Sequence, residues 1–74
     1  MRVLLFGMIA ERAGTDCLEL VAADTAELKA LLAARVEGLN ELSYALAVNR
    51  VIVSGEVSLS GDEEIAVLPP FAGG

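Results

Sequence analysis

Pro69-Pro70-Phe71-Ala72-Gly73-Gly74 is the one stretch of this chain whose residue types could do chemistry without a catalytic side chain. Glycine has no Cβ and reaches backbone conformations closed to other residues. The Gly73-Gly74 pair can therefore thread a channel too narrow for any side chain and carry a terminal carboxylate into it. The two prolines fix φ at an extended-compatible value and hold the rest of the tail off the domain body. From Phe71 onward the residues reach roughly 13 Å at about 3.3 Å each, enough to enter a neighbouring protein's active site while the domain stays outside. The competing reading is a frayed end, since chain termini commonly lack fixed structure.

The rest of the chain narrows the choice by what it lacks. With no histidine and one cysteine in 74 residues, neither a Ser-His-Asp nor a Cys-His nucleophile can be assembled. Self-contained catalysis is not expected, and the chain reads as a non-enzyme. The same shortage excludes a Cys/His zinc site, so no metal is assigned. The glycines at 7, 14, 38, 55 and 61 are isolated and form no phosphate-binding loop, so no nucleotide or other cofactor is expected to bind the chain alone. A net charge of -6 opposes nucleic acid, and the five scattered basic residues, Arg2, Arg12, Lys29, Arg35 and Arg50, make no membrane-binding face. A partner with a basic rim fits better. The opening apolar stretch is too short for a signal-peptide core or for a span of roughly 20 apolar residues, and one cysteine makes no internal disulfide. Both point to the cytoplasm.

A chain of this length is one domain and buries only about 60% of its unfolded surface. Yet 55% of its residues are hydrophobic and the mean hydropathy is +0.63, more than a small half-covered domain normally hides. Part of that apolar surface is expected at an interface. Domain and tail divide as residues 1–68 and 69–74.

The elements that must position the tail can be read from local pattern. Residues 2–8 (RVLLFGM) form an almost unbroken apolar run, which suits a central strand covered on both faces. Residues 9–15 carry a turn with one helical turn at most. Residues 16–21 then alternate, with Cys17, Glu19 and Val21 opposite Leu18 and Leu20, as the return strand of an antiparallel hairpin. Asp24 and Glu27 make an N-cap pair for a helix of about 12 to 14 residues, whose stripe is Leu28, Leu31, Leu32 and Val36 and whose end is Gly38. Two or three short strands come next, within 46–48, 51–53 and 57–59, broken at Asn49-Arg50 and Ser54-Gly55. After the turn at Ser60-Gly61-Asp62, residues 64–68 form a last apolar strand stopped by the prolines.

The order β-β-α-β-β-β describes an α+β domain with one main helix on one face of a sheet of four to five strands. The other sheet face must be polar, covered by loops or docked on another protein. Leu4 and Phe6 on the first strand, with Ala66 and Leu68 on the last, are the candidate outward set. Leu4, Phe6 and Leu68 are the candidate partner contacts. The rival expectation is that both parities pack internally through sheet twist and loop cover.

This order, the opening VLLFG, the segment Ala47-Val48-Asn49-Arg50 and the final Pro-Pro-x-x-Gly-Gly together resemble the small subunits of molybdopterin synthase, the MoaD-type ubiquitin-like sulfur carriers. The resemblance spans essentially the whole chain, and the terminal motif is its most specific part. Leu68 departs from it, because family members often carry an aromatic residue before the prolines. Phe71 is the candidate for the displaced ring, anchored either on the domain or on the partner.

The resemblance implies a ubiquitin-like β-grasp fold with a mixed sheet. It also implies a Gly74 carboxylate that is adenylated by an ATP-using, ubiquitin-activating-type adenylyltransferase and then converted to a thiocarboxylate by a sulfur donor. Pro69, Pro70, Phe71 and Ala72 would lead Gly73 and Gly74 into the large subunit of molybdopterin synthase. There the sulfur passes to a pyranopterin precursor during molybdenum cofactor biosynthesis. Three other readings stay open: the related carrier of thiazole synthesis, which typically lacks Pro-Pro before Ala-Gly-Gly, a ubiquitin-like protein modifier, and a binding module with an inert tail. Cys17 reads as a packed or idle strand thiol with no neighbouring cation in sequence to activate it. Asp62-Glu63-Glu64 reads as a solvated turn.

Overall fold

The computed structural model describes residues 1–69. Strand β1 (Arg2–Leu5) leads into helix α1 (Gly7–Ala13) and strand β2 (Cys17–Glu19), followed by helix α2 (Thr25–Arg35) and a single 3-10 turn (Leu39–Glu41). Strands β3 (Ala45–Val48), β4 (Val51–Val53) and β5 (Ile65–Leu68) complete one five-stranded sheet in the order β2-β1-β5-β3-β4. Strands β1 and β5 run parallel, and the other described pairs are antiparallel. The fold is α+β, as the sequence pattern implies, and the sheet is mixed, as the family resemblance implies.

The first strand is shorter than its apolar run. It ends at Leu5 because Gly7 takes φ +57, a left-handed value that breaks the extended chain and opens α1, with the Phe6 carbonyl accepting from Ile9 N at 3.2 Å and Ala10 N at 3.4 Å. Met8 thereby turns outward while Ile9 is buried in the core. The single helical turn expected over 9–15 is instead a seven-residue helix, and the β1–β2 pair is not a tight hairpin, because α1 lies between its strands.

Helix α2 begins at the expected cap. The Asp24 side chain accepts from Glu27 N at 2.8 Å, while Glu27 Oε1 accepts from Ala23 N at 2.8 Å, so two backbone donors that the helix cannot satisfy are paired. Asp24→Ala is expected to lower stability by about 1 kcal/mol, read from the denaturant midpoint at unchanged slope. The helix ends at Arg35, short of the expected Gly38. Val36 turns extended and, with Leu39 of the 3-10 turn, buries itself in the same core as Leu28 and Leu32.

Two of the two or three short strands form, and the third, at 57–59, does not. That segment spends its backbone groups on the start of α2: Thr25 N donates to Val57 O (2.9 Å), Leu59 N donates to Ala23 O (2.8 Å), and only an isolated bridge links Asp24 with Ser58. The Thr25 hydroxyl, the buried polar group beside the core, accepts from Val57 N at 2.9 Å. Elsewhere the two-residue turn Asn49-Arg50 sets the β3–β4 register, with φ +50 and +70 at its two positions, the geometry of a type I′ hairpin.

Candidate functional site

Strand parity sorts the sheet into two faces. Val3, Leu5, Leu46, Ile65 and Val67 point toward α2 and are buried with Leu28 and Leu32. Their neighbours point the other way, and the observed registers join them into a row across all five strands: Cys17, Leu4, Ala66, Ala47 and Ile52. Residues directly opposite in a sheet share a face, so this row is a property of the pairing itself. A second row, Ala45 opposite Leu68, lies nearer the tail. Phe6 stands just past β1 on the same parity and is 43% exposed.

This face is graded. Around the tail root it is apolar and low, because Ala45, Ala47 and Ala66 leave a shallow floor between Leu4, Leu68, Phe6 and Ile52. At the far end it is charged, with Arg2 opposite Glu19 and with Arg50 Nε 3.5 Å from Glu64 Oε1. Helices α1 and α2 contribute their buried residues to the opposite side. An apolar sheet face that no described residue covers, beside the exit of β5, has the form of a docking surface.

Of the residues singled out in the sequence, Leu4, Phe6, Ala66 and Leu68 all lie on this face, Leu4 and Leu68 half-buried. The structure adds Ala45, Ala47 and Ile52, which sequence reasoning missed. Their outward parity becomes visible only once the Asn49-Arg50 turn has set which residue of β4 faces which of β3. Pro69 is placed at the root of the tail, whereas Pro70, Phe71, Ala72, Gly73 and Gly74, and so the chemical end of the predicted site, lie outside the described residues. Cys17 is exposed at the margin of the open face.

The Ala47-Val48-Asn49-Arg50 segment has a structural explanation. Asn49 N donates to Glu64 O at 2.8 Å, and the Asn49 side-chain oxygen accepts from Glu64 N at 2.9 Å, so the turn clamps the entry to β5. Burial pushes the Tyr44 phenol up from its ordinary pKa, so it stays neutral near neutral pH.

The acidic turn is also organised by the backbone. Glu63 accepts from Ser60 N (2.7 Å), Gly61 N (2.8 Å) and the Ser60 hydroxyl (3.1 Å). These donors, the Ser60 and Gly61 amides foremost, hold the Glu63 carboxyl down from 4.5 to about 2. A carboxyl depressed in the folded state stabilises above its unfolded pKa, and that contribution is lost as pH falls toward the folded value. Glu63→Gln is therefore expected to be less stable than the parent at neutral pH. The gap should close between pH 4.5 and about 2, as read by urea melts across that range. Among the described residues no group of acidic or cysteine side chains could hold a metal ion, and no helix is long and apolar enough to cross a membrane.

A mixed five-stranded sheet in the order β2-β1-β5-β3-β4 with α2 packed on one face is the ubiquitin-like β-grasp fold. The chain belongs to the ThiS family, whose model matches residues 3–74. It is 36% identical to the molybdopterin synthase sulfur carrier subunit of Escherichia coli strain K12, with 100% of this chain and 99% of the relative covered. Among solved structures it is similar to a chain in the protein-protein complex of subunits 1 and 2 of the molybdopterin-converting factor from Helicobacter pylori 26695. That match has a TM-score of 0.75 at 32% identity and covers 99% of this chain and 96% of the other. SAMP1 from Haloferax volcanii shares the fold at a TM-score of 0.80 and 21% identity, with 100% and 98% covered.

Proposed function

We propose that this chain is the sulfur carrier of molybdenum cofactor biosynthesis, the small, non-catalytic subunit of molybdopterin synthase. The observation that carries the reading is the exit of β5 into Pro69 at the apolar end of the open sheet face, in a chain 36% identical over its whole length to a sulfur carrier subunit. The open face docks on the large subunit, and the tail from Pro69 to Gly74 enters that subunit's active site.

A carboxylate is a poor acyl donor, because its charge repels nucleophiles and its oxygen leaves badly. The Gly74 carboxylate is therefore joined to AMP from ATP on a ubiquitin-activating-type adenylyltransferase, with release of pyrophosphate. A sulfur donor then displaces AMP and leaves Gly74 as a thiocarboxylate, whose sulfur is a good nucleophile at neutral pH. Inside the large subunit that sulfur is passed to the pyranopterin precursor. The chain contributes reach, narrowness and a docking face; acids, bases and oxyanion stabilisers come from the partner. Residues 1–68 serve as the docking body, 69–74 as the carrier arm, and the cycle runs in the cytoplasm.

The test is the intact mass of the untagged chain after incubation with ATP, the activating enzyme and a sulfide source. A gain equal to the exchange of one oxygen for sulfur, located on Gly74 by fragmentation, supports the proposal. No gain, with the activating enzyme competent on a known carrier, overturns it. Higher-mass conjugates that resist reducing agents would replace it with protein modification.

A further inference from the structure

Among the described residues, Asn49 and Arg50 are the non-glycine positions with left-handed φ, at +50 and +70. Asparagine suits the first position of such a turn because its short side chain bonds locally, and here its oxygen accepts from Glu64 N at 2.9 Å. The second position is ordinarily glycine, since a side chain there crowds its own backbone. Arginine stands in that place, and its side chain returns little to the fold. Arg50 Nε lies 3.5 Å from Glu64 Oε1, with the two side chains 87% and 46% exposed, and an ion pair so open to water contributes little. Among the described residues the two terminal Nη groups have no hydrogen-bond partner. A side chain kept at a strained backbone position, with so little bonding inside the domain, is a candidate for a role outside it.

We propose that Arg50 is a recognition residue, whose guanidinium takes a carboxylate of the large subunit when that protein covers the open sheet face; this rests on the docking role given to that face above. Position, geometry and charge select the partner. Arg50 precedes Ile52 by two residues, as Glu64 precedes Ala66, so the pair continues the outward parity to the rim of the face. With Nε turned to Glu64, the planar fork presents its Nη donors to water, an arrangement that takes a carboxylate through two parallel hydrogen bonds. A polyanion is repelled by the net charge of -6 and by Glu64 itself. A single carboxylate on a protein already held by apolar contacts is delivered at high effective concentration and meets no such barrier. The hydrogen-bonded turn fixes the direction in which the side chain leaves the backbone, so less freedom is lost on binding.

Titration calorimetry of the full chain against the large subunit, paired with urea unfolding, tests this. Arg50→Gly should unfold at a denaturant midpoint at least as high as the parent's, because glycine relieves the left-handed strain, yet its Kd should rise about tenfold. The loss should shrink as salt is raised, since a charge pair at a rim is screened. Arg50→Lys keeps the charge without the fork and should recover only part of the affinity. A midpoint that falls in Arg50→Gly would make the arginine a structural residue and overturn the proposal. So would parental affinity in Arg50→Gly, or full recovery in Arg50→Lys. A parent chain that does not bind the large subunit overturns the docking reading itself, whereas any of those three results with a parent that binds overturns the role of Arg50 alone.

Discussion

Gly73→Ala is expected to cut sulfur transfer by about 10²-fold or more while the domain unfolds at an unchanged denaturant midpoint. The added methyl sits next to the reacting carboxyl, where displacement of about 1 Å costs that much in rate. It also removes the left-handed conformations that only glycine adopts freely. The measurement is single-turnover transfer from preloaded thiocarboxylate with the large subunit in excess, which separates transfer from docking. Complex formation should persist, because the open face of the sheet is untouched. A variant that transfers at the parental rate would remove the narrow-channel mechanism and leave the tail with only a tethering role.

The second large effect belongs to the docking face. Phe6→Asp is expected to weaken association with the large subunit by about 2 kcal/mol or more, roughly 30-fold in Kd, if the proposed docking face is used, as a charge replaces an exposed aromatic ring on it. Fold stability should hardly fall. Phe6 is already 43% exposed and occupies the N-cap of α1 with extended backbone and no side-chain hydrogen bond. Aspartate is among the favoured residues at such a position, so the loss of partly buried ring area is offset by a new cap. Titration calorimetry against the large subunit, with Ala30→Glu on the exposed side of α2 as the control, separates the docking face from the helical side. Equal affinities for the parent and Phe6→Asp would move the interface elsewhere on the domain.

What was legible in the sequence was whatever rested on local chemistry. The Asp24–Glu27 pair marks the start of α2 because it satisfies backbone donors within four residues, and β5 ends where the prolines remove ladder donors. The Pro-Pro-x-x-Gly-Gly motif is equally local, but all of it beyond Pro69 lies outside the described residues. What was missed depended on partners far along the chain. The end of β1 at Leu5 turns on a positive φ at Gly7 that an apolar run conceals. Residues 57–59 have the look of a strand, but their hydrogen bonds go to Thr25 and Ala23, far earlier in the chain, which no local pattern announces. The open face required register, and register came from the Asn49-Arg50 turn together with its clamp on Glu64.

The placement of β5 has a consequence for when the arm can be used. The last strand of the chain lies at the middle of the sheet, between β1 and β3, and Val3 finds its partner Ile65 almost a chain length away. Until β5 is inserted, β2-β1 and β3-β4 are two unconnected strand pairs, and the outward row across all five strands does not exist. Such late, non-local pairing makes folding slow relative to helix or hairpin formation. A chain truncated before β5 therefore lacks the strand that joins the two halves of the sheet and leads into Pro69.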